Sequence, residues 1–558
     1  MSGVLTLSLS TVIVKIIGLA YKIPMIGYLG AEGMGYFNSA YEIYALLCVI
    51  ATAGLPTALT MLISEARERG ERKQIERTYR TALLVFLLLG ALGSTLMVWL
   101  ARPLAEWIGN NGAHLCILAI APALFCVCFA GAVRGYFQGF GKMTPTAISQ
   151  LLEALGKLVF GVLFAALALQ RGNDIPTVAA FAVLGLSLGT LVSALYLLLA
   201  KVIGRSGRAA IEAWRSEANS PCFSTLLRIA VPITLSSAVL SVTRLLDMAL
   251  IMRRLQTIGW SAAEANAVYG AYTTLAVPVF GLLPSLITPI SLALVPQLAG
   301  AVEGGDAEEQ ATVADRALRL TILLSMPASM GITLYAYPIL SLLFRSEPEA
   351  VAVAAPLLAI LGMSVLFSGI ITTTNAILQA YHRVGAPILS MTVGALVKAL
   401  SAYVLLGIPQ VGVYGAPIST LLCNITVTVI NMRLLAKCLP HSIHATGFFG
   451  LYGKPLGASA GAILASLAVY IPLWRISDRM TLSFLGAVLV AVVGYMLFAV
   501  WMGVVTSEDI ALLPLGKRLA GHIGYNKKTK IQSDWNKKEG KNNDGRGKNS
   551  VSFKQEDL

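Results

Sequence analysis

Charge is scarce in this sequence. Only 13% of its 558 residues are Asp, Glu, Lys or Arg, while 56% are hydrophobic and the mean hydropathy is +0.74. That balance excludes a string of soluble domains and reads as a polytopic, all-α membrane protein. Acidic residues are the rarer sign, 28 against 42 basic, for a net charge of +14. In a chain of apolar runs such an excess reflects Lys and Arg gathered in loops on one membrane face, so no nucleic-acid partner is expected. The five histidines (114, 382, 441, 444, 522) lack zinc-ligand spacing, and His441 and His444 fall in a loop. Seven cysteines (48, 116, 126, 128, 222, 423, 438) lie mostly inside apolar runs, and Cys126-Val-Cys128 stands alone, so reduced packing residues are expected. No metal and no cofactor is implied. A Walker loop is missing, which argues against direct ATP drive. No loop is long enough for a glycosyltransferase domain, so an enzyme is not expected. The first apolar run is interrupted by Lys15 and shows no cleavage site, so it is expected to be a retained helix.

What is present is a succession of apolar runs. About fourteen reach the roughly 20 residues that cross a bilayer. They lie at 5–28, 36–63, 79–101, 113–138, 146–170, 176–202, 224–254, 267–299, 316–341, 350–380, 386–407, 412–437, 454–474 and 482–505. Prolines inside them, among them Pro24, Pro56, Pro232, Pro278 and Pro356, invite bends whose freed backbone groups must be satisfied within the bundle. Connections after even-numbered runs hold the positive charge: Arg67, Arg69, Arg72, Lys73 and Arg77, then Lys142, then Lys201, Arg205, Arg208 and Arg215. By the positive-inside rule both termini are expected to be cytoplasmic. The acidic loop from Glu303 to Glu309 carries little topological weight.

The two halves repeat. Gln138-Gly-Phe-Gly-Lys-Met-Thr-Pro145 resembles Gln379-Ala-Tyr-His-Arg-Val-Gly-Ala-Pro387, and in each the Gln precedes a Lys, Lys157 or Lys398, by nineteen residues. The following runs both end Leu-Leu-Ala-Lys, at Lys201 and Lys437, and Asn38-Ser-Ala-Tyr41 matches Tyr269-Gly-Ala-Tyr272. A duplicated six-helix unit in parallel orientation follows, which suits rocking-type alternating access with a site between the lobes. The expected organisation is a six-helix lobe at 1–204, a cytoplasmic linker at 205–222, a second six-helix lobe at 223–440, two further membrane helices within 441–506 and a basic tail at 507–558. The tail is Lys-, Asn- and Gly-rich beyond Asn526, a composition of disorder, while 511–520 is able to lie on a membrane surface.

A charge at membrane depth costs roughly 2.5–3.5 kcal/mol, so those that persist are read as functional unless they neutralise each other. They are Lys15, Lys22, Glu42, Arg134, Glu153, Lys157, Arg244, Asp247 and Lys398. Lys15 and Lys22, seven apart, share one helical face. Glu153 and Lys157 are i,i+4 and Arg244 and Asp247 i,i+3, so each couple is either a structural pair or part of a site. Lys398 has no acidic neighbour on its own helix and is expected to be an unpaired cation. Glu42 is placed to reach Lys15 or Lys22. Arg134, Lys22 and Arg253 either turn inward or snorkel to an interface. The balance is cationic and favours an anionic group such as pyrophosphate. Tyr21, Tyr36, Phe37, Tyr41 and Tyr44 crowd the same hairpin, as packing or as contacts for a sugar or polyprenyl chain.

Lys15-Ile-Ile-Gly-Leu-Ala-Tyr-Lys-Ile-Pro24, Leu29-Gly-Ala-Glu-Gly-Met-Gly-Tyr36, Gly54-Leu-Pro-Thr-Ala58 and Phe137-Gln-Gly-Phe-Gly-Lys-Met-Thr-Pro-Thr-Ala-Ile-Ser-Gln150, in that order, carry a resemblance. They resemble the polysaccharide-export branch of the MATE/MOP flippase superfamily, within it the stage V sporulation protein B group related to the MurJ lipid II flippases, over about residues 5–520. The resemblance implies a two-lobed, fourteen-helix carrier in a bacterial cell membrane. It would move undecaprenyl-pyrophosphate-linked saccharide, a peptidoglycan precursor or polysaccharide unit, from the inner to the outer leaflet. The family's cationic first-helix position falls on Lys15, and the lipid II flippases' second one near Tyr21 and Lys22. Their basic residue in the eighth helix falls near Thr273, where this chain is neutral, which argues for a relative of the sporulation or polysaccharide type.

The expected substrate-binding set is therefore Lys15, Lys22, Lys157, Arg244 and Lys398. Glu42, Glu153 and Asp247 are expected as charge partners or for coupling to a monovalent cation or proton. The partners are the lipid-linked anionic saccharide and membrane lipid, with the chain a monomer. The rivals are a MATE-type drug/cation antiporter, which wants uncompensated carboxylates, and a membrane scaffold or O-antigen polymerase-like enzyme.

Overall fold

The computed structural model describes residues 2–203, 222–305, 307–381, 383, 385–439, 452–477 and 480–503. Nearly all of the linker expected at 205–222, the loop holding His441 and His444, and the tail at 507–558 lie outside the described residues. Every element among them is helical. The cause is the one read from composition: in hydrocarbon each backbone donor and acceptor must be satisfied within its own segment, and an α-helix does that. Twelve helices among the described residues are long and apolar enough to cross a membrane. Against the fourteen spans expected, the first two run together as Ile13–Glu68, and the eighth, broken near its start, is not among the twelve.

The first half comprises α1 (Ser2–Thr52), α2 (Gly54–Glu68), α3 (Arg72–Trp99), the short α4 (Ala101–Ile108), α5 (His114–Gly139), α6 (Thr144–Gln170) and α7 (Ile175–Ile203). The bend expected at Pro24 lies instead at Gly30, with φ 62° and ψ −177°, while Pro24 stays inside the helix. Nothing lies within 4 Å of where a Cβ would stand at Gly30, so glycine is demanded by the backbone angle rather than by crowding. The chain folds back there, bringing Tyr21 on the first arm within 6.1 Å of Phe37 on the second, ring to ring. α1 packs against α5, α6 and α7.

The second half comprises α8 (Cys222–Thr257), α9 (Ala262–Ala271), a π turn at Tyr272–Ala276, α10 (Val277–Glu303), α11 (Ala307–Leu343), α12 (Pro348–Ala380), α13 (Gly385–Leu405) and α14 (Gly415–Cys438). A capping box, Ser261 with Glu264, starts α9. Inside α11 the helix breaks at Tyr335, three residues before Pro338, whose missing N–H and ring disturb the preceding turn. The final pair, α15 (Lys454–Ser477) and α16 (Met480–Trp501), pack on each other and on α11.

Rows of large apolar side chains face outward. Leu84, Leu88, Leu92 and Leu96 follow one another at single-turn spacing on α3, each between 47% and 67% exposed. A face of that kind suits lipid tails rather than water. The halves meet where α1 packs on α8 and α9, and α2 on α8, while α8 also packs on α13 within the second half. At the tightest crossing a Cβ on Gly270 would collide with the Ala31 carbonyl, and one on Gly35 with Asn266. Small residues let these backbones touch.

Candidate functional site

The charged side chains read from the sequence flank α1, some on α8 and α13 of the second half and some on α5 and α6 of the first, with Lys15 and Arg253 apart. Lys22 does not snorkel. Its ammonium crosses to the second half and donates to the Thr273 carbonyl at 2.9 Å, within the π turn. Asn38, on the other arm of α1, donates to the hydroxyls of Thr273 (2.9 Å) and Thr274 (2.8 Å). A π turn opens the helix by one residue and is frequent at functional sites. Here it presents a carbonyl and two hydroxyls to α1. Beyond it, Asn266 donates to the Glu32 carbonyl at 2.7 Å and accepts from Asn110 at 2.8 Å, and Asn110 also donates to Ser39 at 3.0 Å.

Two intrahelical pairings that the spacing allows are not made. Glu153 pairs across helices with Arg134 (2.8 Å), leaving Lys157, its i+4 neighbour, to other partners. Arg134 turns inward and ties three helices together: Nε donates to Ser149 on α6 (2.9 Å), and Nη2 donates to Glu153 on α6 and to Ser193 on α7 (3.0 Å). Asp247 likewise pairs with Lys398 on α13 rather than with Arg244 on its own helix. Lys398 is thus not the unpaired cation expected. Spacing along one helix cannot see a partner that packing brings from another.

Arg244 is exposed and is the foremost cationic influence on Glu42, followed by Lys22. Glu42 Oε2 is buried without a hydrogen-bond partner among the described residues. Lys157 lies over three aromatic faces, with Nζ 4.8 Å from the Tyr41 ring centroid, 5.2 Å from Tyr21 and 6.0 Å from Phe37. It is also near enough to Lys22 for the two charges to repel. Five cations (Lys22, Arg134, Lys157, Arg244, Lys398) therefore share one region with three carboxylates (Glu42, Glu153, Asp247), and the surplus is positive. Lys15 stands apart, exposed and without a hydrogen bond or ion pair among the described residues. Arg253, exposed near the end of α8, donates to the Trp107 carbonyl at 2.5 Å.

Sequence reasoning missed Asn38, Thr273 and Thr274 as the polar bridge between the halves, although Asn38 and Tyr269–Tyr272 had drawn notice as a repeat. A buried asparagine in an apolar run was the available signal, since such a group must find a partner.

A profile of the polysaccharide biosynthesis protein family matches residues 1–301. The chain belongs to that family. A MatE profile matches residues 232–404 of the same chain. Stage V sporulation protein B of Bacillus subtilis (strain 168) is 26% identical over 446 residues, 79% of this chain and 85% of that protein. Lipid II flippase MurJ of the same organism is 26% identical over 457 residues, 78% of this chain and 82% of that one. Among solved structures, "Lipid II flippase MurJ, inward closed conformation" superposes with a TM-score of 0.66 at 14% identity, over 89% of this chain and 98% of that one. That likeness is one of fold. The superfamily read from the motifs is borne out: this is a multi-pass membrane protein of the MATE/MOP superfamily, a transporter or flippase rather than an enzyme.

Proposed function

We propose that the protein is a flippase for an undecaprenyl-pyrophosphate-linked saccharide, a peptidoglycan precursor or polysaccharide unit, carried from the inner to the outer leaflet by alternating access. The observation that supports this most is the surplus of positive charge where the two halves meet. A pyrophosphate needs several cations at close range, and lysine and arginine supply them as point charges and forks. Lys22, Lys157, Arg244 and Lys398 are the cations that would hold it, with Lys15 two turns away on the face of Lys22 as an outlying contact.

In this structure three of these cations have direct partners, and Arg244 lies in the field of Glu42. Asp247 holds Lys398, Glu42 stands against Arg244 and Lys22, Thr273 accepts from Lys22, and three rings cover Lys157. An arriving pyrophosphate competes for each. Taking Lys22 would release the Thr273 carbonyl and loosen the contact between α1 and the π turn. Carboxylates set free in the exchange would then be available to a proton or a monovalent cation, which would couple the cycle to an ion gradient. In this reading residues 1–204 and 223–440 are lobes that rock about the shared site, with both termini in the cytoplasm of a bacterial cell, and the working unit is a monomer.

The test is leaflet translocation by the purified protein in liposomes, run over several polyprenyl-pyrophosphate-linked saccharides. The expected result is transfer of at least one, impaired in Lys22→Ala and Lys398→Ala. No transfer of any, or full activity in both variants, would refute the proposal. The MatE match and the unpartnered oxygen of Glu42 favour a second reading, a drug/cation antiporter. Resistance profiling with and without a sodium gradient separates the two.

A further inference from the structure

Lys157 occupies a site whose chemistry is that of a receptor for cations. Tyr21 comes from the first arm of α1, Phe37 and Tyr41 from the second, so the reversal at Gly30 is what brings the three rings together. Phe37 and Tyr41 are nearly parallel, 14° apart with centroids separated by 6.5 Å. The ammonium stands within 6.0 Å of all three centroids. The negative face of an aromatic ring attracts a cation at that range, and several rings about one point form the cage that recognises quaternary ammonium groups. Glu42, Glu153 and Arg244 all lie within electrostatic reach of Tyr41, so the rings rather than a net negative field make the box. Glu153, one turn before Lys157, is turned away from it by Arg134, so the rings and not a carboxylate receive the ammonium.

We infer that the box formed by Tyr21, Phe37 and Tyr41 is a binding site for organic ammonium ions which the chain fills with its own lysine. Lys157 is thereby a specificity-determining residue: a tethered cation that keeps free cations out of the box between α1 and α6. The tether gives it a local concentration that no diffusing amine matches. Lys22 adds repulsion against a second cation. A protein that shares the MatE profile thus carries aromatic groups fit for a cation, and blocks them from within. This inference does not depend on which lipid-linked saccharide is carried, or on whether one is.

The test is direct binding of tetramethylammonium to the full-length protein in detergent, by isothermal calorimetry and by the rise in unfolding temperature. The variants are Lys157→Ala and Lys157→Ser, which empty the box with different residual volumes, and Lys157→Arg, which keeps it filled. The expected result is affinity for tetramethylammonium about tenfold higher in the emptied variants than in the unchanged protein, the worth of about 1.4 kcal/mol. Lys157→Arg should bind no better than the unchanged protein. Adding Tyr41→Ala to Lys157→Ala should abolish the gain. Equal binding by the unchanged and emptied proteins, or a gain that survives Tyr41→Ala, would overturn the inference. Because binding is read without translocation, failure here is distinct from failure of the flippase proposal.

Discussion

Replacing Arg134 by Ala removes a guanidinium that joins α5 to α6 and α7 through three hydrogen bonds. Each bond involving a charged group contributes about 1.5–3 kcal/mol where water is excluded. Breaking a fully buried ion pair from one side costs about 3–5 kcal/mol, because the other charge is stranded. Glu153 is not fully buried: its side chain is 32% exposed, against 16% for Arg134, so water can replace part of what it loses. The expected cost of Arg134→Ala is therefore about 2–3 kcal/mol. Glu153→Ala should cost less, about 1–2 kcal/mol, since Arg134 keeps both serine hydroxyls. The double variant should fall short of the sum by about 1 kcal/mol, the coupling between groups in contact. Arg134→Lys should lie between, because an ammonium's donors radiate from one nitrogen and lack the planar fork by which Nε and Nη2 reach acceptors on two helices. The assay is reversible unfolding in mixed micelles with rising mole fraction of sodium dodecyl sulfate, followed by circular dichroism. Additive single changes, or a cost for Arg134→Ala below about 0.5 kcal/mol, would show that the clamp does not stabilise the bundle.

The remaining expectations concern the junction between the halves. Gly270→Ala pushes a methyl into the Ala31 carbonyl, and should lower stability in the same unfolding assay by about 2 kcal/mol or more. Asp247→Asn weakens the hold on Lys398 and should lower the half-saturating concentration of pyrophosphate-linked substrate in liposomes, whereas Lys398→Ala should reduce transfer about tenfold; no change in either would disconnect the pair from transport. Glu264 accepts from the Ser261 N–H (2.9 Å) and hydroxyl (2.8 Å), and these bonds hold its carboxyl below the usual range. A carboxyl depressed by folding adds stability above its unfolded value and loses it as pH falls through the folded one. Protection of the Ser261 amide in hydrogen exchange, corrected for intrinsic rate, should thus decline on acidification below the ordinary glutamate value. A pH-independent profile would refute the role of the capping box.

How far the sequence could be read depended on whether a feature was local. The apolar runs, their order and the superfamily were legible because each is written in consecutive residues, and the membrane makes length and hydropathy decisive. The charges worth watching were legible too, since a lysine in hydrocarbon needs a reason. Their partners were not. Glu153 with Lys157 and Arg244 with Asp247 satisfied the spacing rule for a helix surface, yet Arg134 and Lys398 won because packing set them opposite the carboxylates from neighbouring helices. Pro24 drew the eye as a bend, but a proline within a packed helix is tolerated, and the turn that matters is a glycine with positive φ. Lys22 was seen as a cation and not as a donor, because the Thr273 carbonyl is offered by a π turn that no composition announces.

That π turn has a consequence for register. A π turn takes one residue more than the α-helical ladder around it, and each residue turns an α-helix by about 100°. Val277–Glu303 is consequently rotated against Ala262–Ala271 by that much relative to an unbroken helix. Deleting one residue from Tyr272–Ala276 would leave composition and hydropathy almost untouched, yet turn a different stripe of α10 toward α12. The extra residue acts as a phase shift, setting which side of the eighth helix looks inward independently of the side that α9 shows to α1.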